Sequence, residues 1–380
     1  MVIRAGSLNV VHIMNNISPS SIPFELAAHM DEDHFSVTII SFFDSEKGLV
    51  GENIEGQSIN FIKLGAKSRF DVSALLTLYN WLKRNKIDIL HVHHNFTGAI
   101  GRIMGKLIGI PVIVDTEHND HKGFRALGNA INGSTLWLAD SVVCNSRNTK
   151  NSFFFWEEVL LNKSKKEVIY NGVDIARIQE AKDEKNKTLE RFELEENDFL
   201  IGNVGMLVKQ KNQKRLIKAF SQVTGDIKDA KLVIVGEGKL RNSLTKQAHS
   251  LGISDNVIFT GLLDRDEVYQ LLHVFDLFAM VSLWEGFCNA VVEAMVARLP
   301  VIVSEVEPLP EVVGNAGKYV SPKDPEEIAG AILKMHDNPQ GARKLAAEAR
   351  NRAIEKFSLQ RTVSEYQDLY LELVNTNKKH

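Results

Sequence analysis

Short runs of β-branched and aliphatic residues alternate along the whole chain with stretches whose apolar residues recur at helical spacing. No other property of the sequence narrows the fold as far. Parallel strands need a crossover long enough to hold a helix, so this alternation describes parallel sheets covered by helices. In the first half the strand candidates are Leu8–Ile13, Ser36–Phe42, Ile59–Lys63, Asp88–Val92, Pro111–Asp115, Ser141–Cys144 and Glu167–Ile169. In the second they are Leu200–Val204, Lys231–Val235, Val257–Thr260, Asp276–Met280 and Pro300–Val303. A charged, weakly apolar stretch from Ile175 to Asn197 separates the two sets. At 380 residues the chain exceeds one ordinary core. The expected fold is therefore α/β: two Rossmann-like, doubly wound domains, 1–174 and 175–357, with ligands bound outside the carboxyl ends of the strands, in the cleft between them. Segment 358–380 reads as a C-terminal helix able to return to the first domain, since Leu359 to Val374 carries apolar residues at helical spacing.

Bulk properties exclude several classes. A net charge of -3 leaves no excess of cations for general nucleic-acid binding, although one diphosphate still needs only a local basic pocket. No apolar run approaches the ~20 residues that span a bilayer, so contact with a membrane would be peripheral. Leu8 to Met14 is short, alternating and flanked by polar residues, the pattern of a first strand and not of a signal peptide. Cys144 and Cys288 lie far apart without metal-ligand spacing, which fits a reducing cytoplasm.

The segment Ser282 to Pro310 is the most informative. It reads as a strand end, a glycine-containing turn, a helix from about Cys288 or Asn289, and a following strand. Amides at such a helix start, with the positive end of the helix dipole, suit phosphate or hydroxyl oxygens. Glu293 is surrounded by Val291, Val292, Ala294, Met295 and Val296. Either it is buried and needs donors, or it faces solvent on an amphipathic helix. Ile201 to Gln213 gives a second element: a strand ending at Gly205, a basic loop, then a helix. Gly205 would allow close approach and Lys211 would bring charge to a diphosphate; the alternative is an ordinary solvated lysine-rich turn.

Glu285 and Glu293, with seven residues between them, followed by Ala294-Met295 and the Pro300-Val301 strand, resemble the paired-glutamate motif of the family 4 retaining glycosyltransferases. The resemblance covers nearly the whole chain and implies the GT-B architecture. It implies that Glu293 holds the ribose diol and Glu285 contacts the transferred sugar. The backbone amides of Phe287, Cys288 and Asn289 would bind sugar hydroxyls and diphosphate, and the loop at Leu262 would border the base. Lys211 matches the family's lysine. The family's arginine does not match: the position is Met206, for which Lys209 or Arg215 would have to substitute. Val235-Gly236-Glu237-Gly238 starts like a dinucleotide fingerprint, but position 241 is Arg241, so a tight turn near the nucleotide is the better reading.

In the first half, His12, the group His91, His93 and His94, and His118 lie at strand ends. Histidines there are often structural. His93 with His94 suggests a metal, but no third ligand at diagnostic spacing joins them. The family places a histidine after the Pro111–Asp115 strand near the transferred sugar, and His118 matches. Related enzymes carry paired glycines in the first βα loop, where this chain has Asn15 to Ser21; Asn16 and Ser18 are the loop's candidates for donor or acceptor contact.

The implied reaction is metal-independent transfer, with retention, from a nucleotide sugar (UDP-sugar favoured) to a glycan or lipid-linked hydroxyl. His118, Glu285 and Lys211 would be its catalytic groups, no cofactor being expected. A nucleotide-sugar 2-epimerase and a catalytically weak or inactive nucleotide- or glycan-binding partner subunit are the alternatives, the second suggested by Met206 and by the first βα loop without paired glycines. Lys67 to Lys86, amphipathic with basic ends, and Phe153 to Trp156 either dock on an anionic membrane at its cytoplasmic face or pack as core.

Overall fold

The structure, a computed structural model, describes residues 7–16, 21–43, 59–121, 126–161, 166–181 and 185–378. These form two compact units: one holds the residues up to Gly172 together with those from Leu359 onward, the other is Val173–Ser358.

The first unit is built on seven strands: β1 (Leu8–Met14), β2 (Phe35–Ser41), β3 (Ile59–Lys63), β4 (Ile89–His93), β5 (Val112–Glu117), β6 (Ser141–Cys144) and β7 (Lys166–Val168). Their order is β3-β2-β1-β4-β5-β6-β7, and every pairing is parallel. The strand order reverses between β1 and β4. There the chain leaves the sheet in opposite directions, and the diverging connections open a crevice at the carboxyl edge. One face buries Val10, Phe35, Val37, Ile89, Val112 and Val114 with Leu359, Val363, Tyr366 and Tyr370 from the helix Leu359–Asn377. The opposite face buries Val11, Ile13, Ile40, Leu90, Val92 and Ile113 beneath the helix Val72–Arg84 and its neighbours. Odd and even positions of each strand thus serve different cores, as a two-residue period requires.

The second unit has six strands: β8 (Phe199–Val204), β9 (Ala230–Val235), β10 (Val257–Gly261), β11 (Leu277–Met280), β12 (Val301–Ser304) and β13 (Lys318–Val320). The order β10-β9-β8-β11-β12-β13, again all parallel, puts the reversal between β8 and β11. Both sheets are therefore the doubly wound α/β type expected. β13 adds one strand to those anticipated. It is three residues long and largely polar or exposed in its first positions, too short to carry a period.

Candidate functional site

In the second unit the strand reversal brings two loops together. One leaves β8 at Gly205, the other leaves β11 at Met280 and runs to the helix Asn289–Val296. A backbone bond from Leu283 N to Gln210 O ties them, and the Asn212 side-chain amide donates to Val281 O at 2.9 Å and Pro322 O at 2.8 Å. The backbone of Asn212 is left-handed, at φ 57°, a conformation asparagine tolerates better than most residues.

Glu285, 4% exposed, lies on this platform. Its Oε1 accepts from Lys211 Nζ at 2.7 Å and from Ser282 Oγ at 2.6 Å. Burial opposes the charge on Lys211, but the thiolate that Cys288 forms only at high pH and the Glu285 carboxylate hold the ammonium's pKa above its ordinary value. Gly205 makes room: a Cβ there would stand 3.2 Å from Lys211 Cε. Cys288 is the residue before the helix and adopts a left-handed backbone at φ 76°. For a residue with a side chain this conformation is costly and persists where the surroundings impose it. Burial, then Glu285, pushes its thiol up to about 12, so it is a neutral packing group. Phe287 is buried, edge-on to Phe357. The side chains of Phe287 and Cys288 are thus occupied in packing, and what they offer a ligand is backbone.

Glu293 is 7% exposed inside a helix that buries every position from Val291 to Val296. It does not face solvent, which removes one of the two sequence readings. Its partner is one that reading missed: Arg265 Nη2 donates to Glu293 Oε1 at 2.7 Å, while Arg265 Nε donates to the hydroxyl of buried Tyr269 at 2.5 Å. Arg265 opens the helix Arg265–Leu272 after its cap Asp264. A cation in a first helical turn opposes the helix dipole, but Arg147 and Arg241 open their helices in the same way, so position alone did not mark Arg265 as the partner of Glu293. Leu262, three positions earlier, is 78% exposed at the end of β10. Met206, where the family has arginine, is 63% exposed. Of its suggested substitutes, Arg215 is held by Asn212 Oδ1 at 3.2 Å and Lys209 is exposed.

In the first unit, His118 is partly exposed just beyond β5, and its Nε2 meets His93 Nδ1 at 3.2 Å. Asn16 is exposed beyond β1; Ser18 lies outside the described residues. Sequence spacing gave His93 no third metal ligand, but the register pairs His12 with His91 across β1 and β4, and His12, His91 and His93 form one buried cluster. Its nitrogens face one another and hydroxyl groups: His12 Nδ1 meets His93 Nε2 at 3.0 Å, and His91 meets Tyr370 and Thr116. Behind β5, Arg102 is fully buried against Asp115, Asn132 and Thr135, and His121 stands 3.0 Å from Glu157 and 3.5 Å from Glu117. Burial works against protonation of His121, but Glu117 and Glu157 raise its pKa to about 10. Arg102 meets Asp115, Asn132 and Thr135 from 13 or more residues away and His121 meets Glu157 from 36 away, contacts that spacing along the chain does not carry; Glu117, four residues before His121, is the near partner.

Two doubly wound units, one carrying two buried carboxylates beside a helix start at its strand reversal, have the arrangement in which α/β proteins bind nucleotides at the carboxyl edge of the sheet. Residues 184–352 match the model of glycosyl transferases group 1, and residues 23–177 match that of Glycosyltransferase Family 4. Between them these models take up most of the chain, and it belongs to the family 4 glycosyltransferases. The UDP-Gal:alpha-D-GlcNAc-diphosphoundecaprenol alpha-1,3-galactosyltransferase of Escherichia coli is 27% identical over 315 residues, 80% of each chain. The N-acetyl-alpha-D-glucosaminyl L-malate synthase of Bacillus anthracis is 25% identical over 316 residues, 81% of each. Among solved structures, Anabaena HepE with UDP and glucose superposes with a TM-score of 0.82 at 19% identity, over 96% of this chain and 100% of that one. At that identity the likeness shows the GT-B fold. Nothing in these comparisons supports the epimerase alternative.

Proposed function

We propose that this glycosyltransferase moves a sugar, with retained configuration and without a metal, from a UDP-sugar to a hydroxyl of a lipid-linked or glycan acceptor. The observation that carries this is the pair Glu285 and Glu293: both buried, each held by a cation, on the loop and helix at one strand reversal. Glu293 takes the ribose diol, and Glu285 takes hydroxyls of the transferred sugar. Lys211 is engaged by Glu285, but an ammonium has three donors, so the same group can hold Glu285 and the diphosphate together. As the glycosidic C–O bond breaks, the diphosphate carries the charge away, stabilised by Lys211 and the amides at the start of the Asn289–Val296 helix. The acceptor oxygen bonds to the anomeric carbon from the same face, and its proton passes to the departing phosphate. His118 orients the sugar or the phosphate.

UDP and a lipid-diphosphate-linked acceptor are chosen because the Escherichia coli relative's name carries both. Two exposed apolar groups suit work at a lipid surface. Phe70, Val72 and Leu76 stand out from the basic-ended 67–86 segment, and Phe155, Trp156 and Val159 from the next part of the same unit. Phe153 of that second run is core, stacked on His121. Among the described residues no helix is long and apolar enough to cross a membrane, and the reading places the protein peripherally at a cytoplasmic leaflet. The test is product NMR after incubation with UDP-sugars and a lipid-diphosphate-linked sugar, with EDTA present. An α-linked product from an α-linked donor is expected. A β-linked product, or transfer that needs added metal, overturns the mechanism.

A further inference from the structure

The histidines at the carboxyl edge of the first sheet form a file that ends at His118. His12 Nδ1 meets His93 Nε2 at 3.0 Å, and His93 Nδ1 meets His118 Nε2 at 3.2 Å. The ring centroids are 5.3 and 5.4 Å apart and the planes differ by 9° and 30°. Those centroid separations are the nitrogen distances plus two ring radii, so each contact runs edge to edge in the ring planes, as a hydrogen bond does and a stacked pair does not. Strand register produces the file. Residue His12 of β1 lies beside His91 of β4, His93 is two residues on and so on the same face, and β5 ends beside His93 and delivers His118.

All three rings are neutral: burial drops His12 and His118 to about 3 and holds His93 well below its ordinary range. A neutral imidazole has one N–H and one lone pair. Because each junction uses opposite nitrogens of His93, the whole file has only two proton arrangements. If His12 carries its proton on Nδ1, then His93 and His118 do as well, and the outer end presents an N–H. If the protons sit on Nε2 throughout, the outer end presents a lone pair. The inner end decides between them. Among the described residues, none is a hydrogen-bond partner of the buried His12 Nε2. A buried orphan N–H is rarer than a buried acceptor left unfilled, so the proton belongs on His12 Nδ1. His91 does not branch the file, since its two nitrogens are taken by Tyr370 and Thr116.

We propose that His12 and His93 are positioning residues that hold His118 as its Nδ1–H tautomer, so that His118 meets its ligand as a hydrogen-bond donor and not as a base. Its ligand class is an anionic or hydroxyl oxygen, a sugar hydroxyl or a donor phosphate. This rests on the reading of His118 as a group that contacts the donor.

Long-range proton–nitrogen correlation spectra of the wild-type protein, labelled at the histidine nitrogens, read the tautomers directly. Nδ1–H signatures for His12, His93 and His118 are expected. An Nε2–H signature for His118, or a metal retained by His12, His91 and His93 after dialysis against EDTA, overturns the proposal. Two variants link the file to function. His12→Leu removes the inner donor and should mix the His118 tautomers and lower kcat about tenfold with donor KM unchanged. His12→Asn, whose amide can donate from nearly the position of Nδ1, should restore one tautomer and most of kcat. A single Nδ1–H tautomer in His12→Leu contradicts the role assigned to His12. If the spectra agree and His118→Ala leaves kcat intact, the tautomer stands and the donor-contact reading fails.

Discussion

Arg265 separates orientation of the donor-side carboxylate from its presence. It is 28 positions from Glu293 in sequence and 2.7 Å away in space. A hydrogen bond to a charged group contributes roughly 1.5–3 kcal/mol. Arg265→Ala should therefore raise the donor KM about tenfold to a hundredfold, with a smaller change in kcat, and Arg265→Lys should recover part of it. An unchanged donor KM would show that Glu293 is oriented by other contacts. Met206 poses the opposite question, since it is exposed and an arginine there meets no packing barrier. Met206→Arg should raise turnover up to tenfold if the chain is an enzyme lacking one charge; a nucleotide-binding subunit without chemistry would show no gain. At this scale the sequence was legible where chemistry and spacing coincide. Glu285, Glu293 and Lys211 were singled out, and the structure brings Lys211 onto Glu285. Arg265 and the histidine file depend on distant segments meeting, which spacing along the chain does not carry.

Among the elements, the edge where β8, β9 and β10 end tolerates little change. Gly205 N donates to Val235 O, and Gly236 N donates to Gly261 O, both at 2.9 Å. Gly236 has φ 130°, and a Cβ there would stand 2.3 Å from Gly205 O. That neighbour is backbone, next to Lys211's seat, and has no rotamer through which to move away. Gly236→Ala should cost several kcal/mol in chemical denaturation and should weaken nucleotide binding in whatever folded protein remains. Gly225, in the helix Gln213–Asp226, is the control: nothing lies within 4 Å of its added Cβ, so Gly225→Ala should be neutral or stabilising by up to about 1 kcal/mol. Equal effects at the two sites would remove the close-approach argument. Strands such as Ile59–Lys63 and Ser141–Cys144 were readable to the residue. Element ends elsewhere moved by one or two positions, where buried polar residues such as Thr116 and Glu117 continue β5 past its apolar run. The left-handed backbone at Cys288 left no mark in the sequence, since cysteine has no preference for it.

Across the whole molecule, histidines of the first unit contribute two opposing limbs to the pH dependence of stability. His12 and His118, lowered to about 3, are neutral in the folded chain and protonate below about 6.5 when it unfolds, so stability falls as pH drops from there toward 3. His121, raised to about 10, contributes fully below 6.5, and its contribution is lost as pH climbs through 10. Urea denaturation monitored on this unit should accordingly give a maximum near neutral pH, with an alkaline fall of a few kcal/mol at most. Glu157→Gln, which removes one of the charges on His121, should flatten the alkaline limb and leave the acid limb in place. An unaltered alkaline limb in that variant would show that other groups govern it.

The central claim is that the second unit's paired glutamates hold a nucleotide sugar for transfer, and donor turnover tests it most directly. Nucleotide release would be measured for UDP-, GDP- and ADP-sugars in the presence of EDTA, with wild type beside Glu293→Ala. Slow release from a UDP-sugar is expected of the wild type, lost or reduced about a hundredfold in the variant, whose removed hydrogen bonds to the ribose are charge-assisted. Undiminished turnover in Glu293→Ala, or nucleotide binding by the wild type with no turnover of any donor even when acceptor lipids are added, would contradict it.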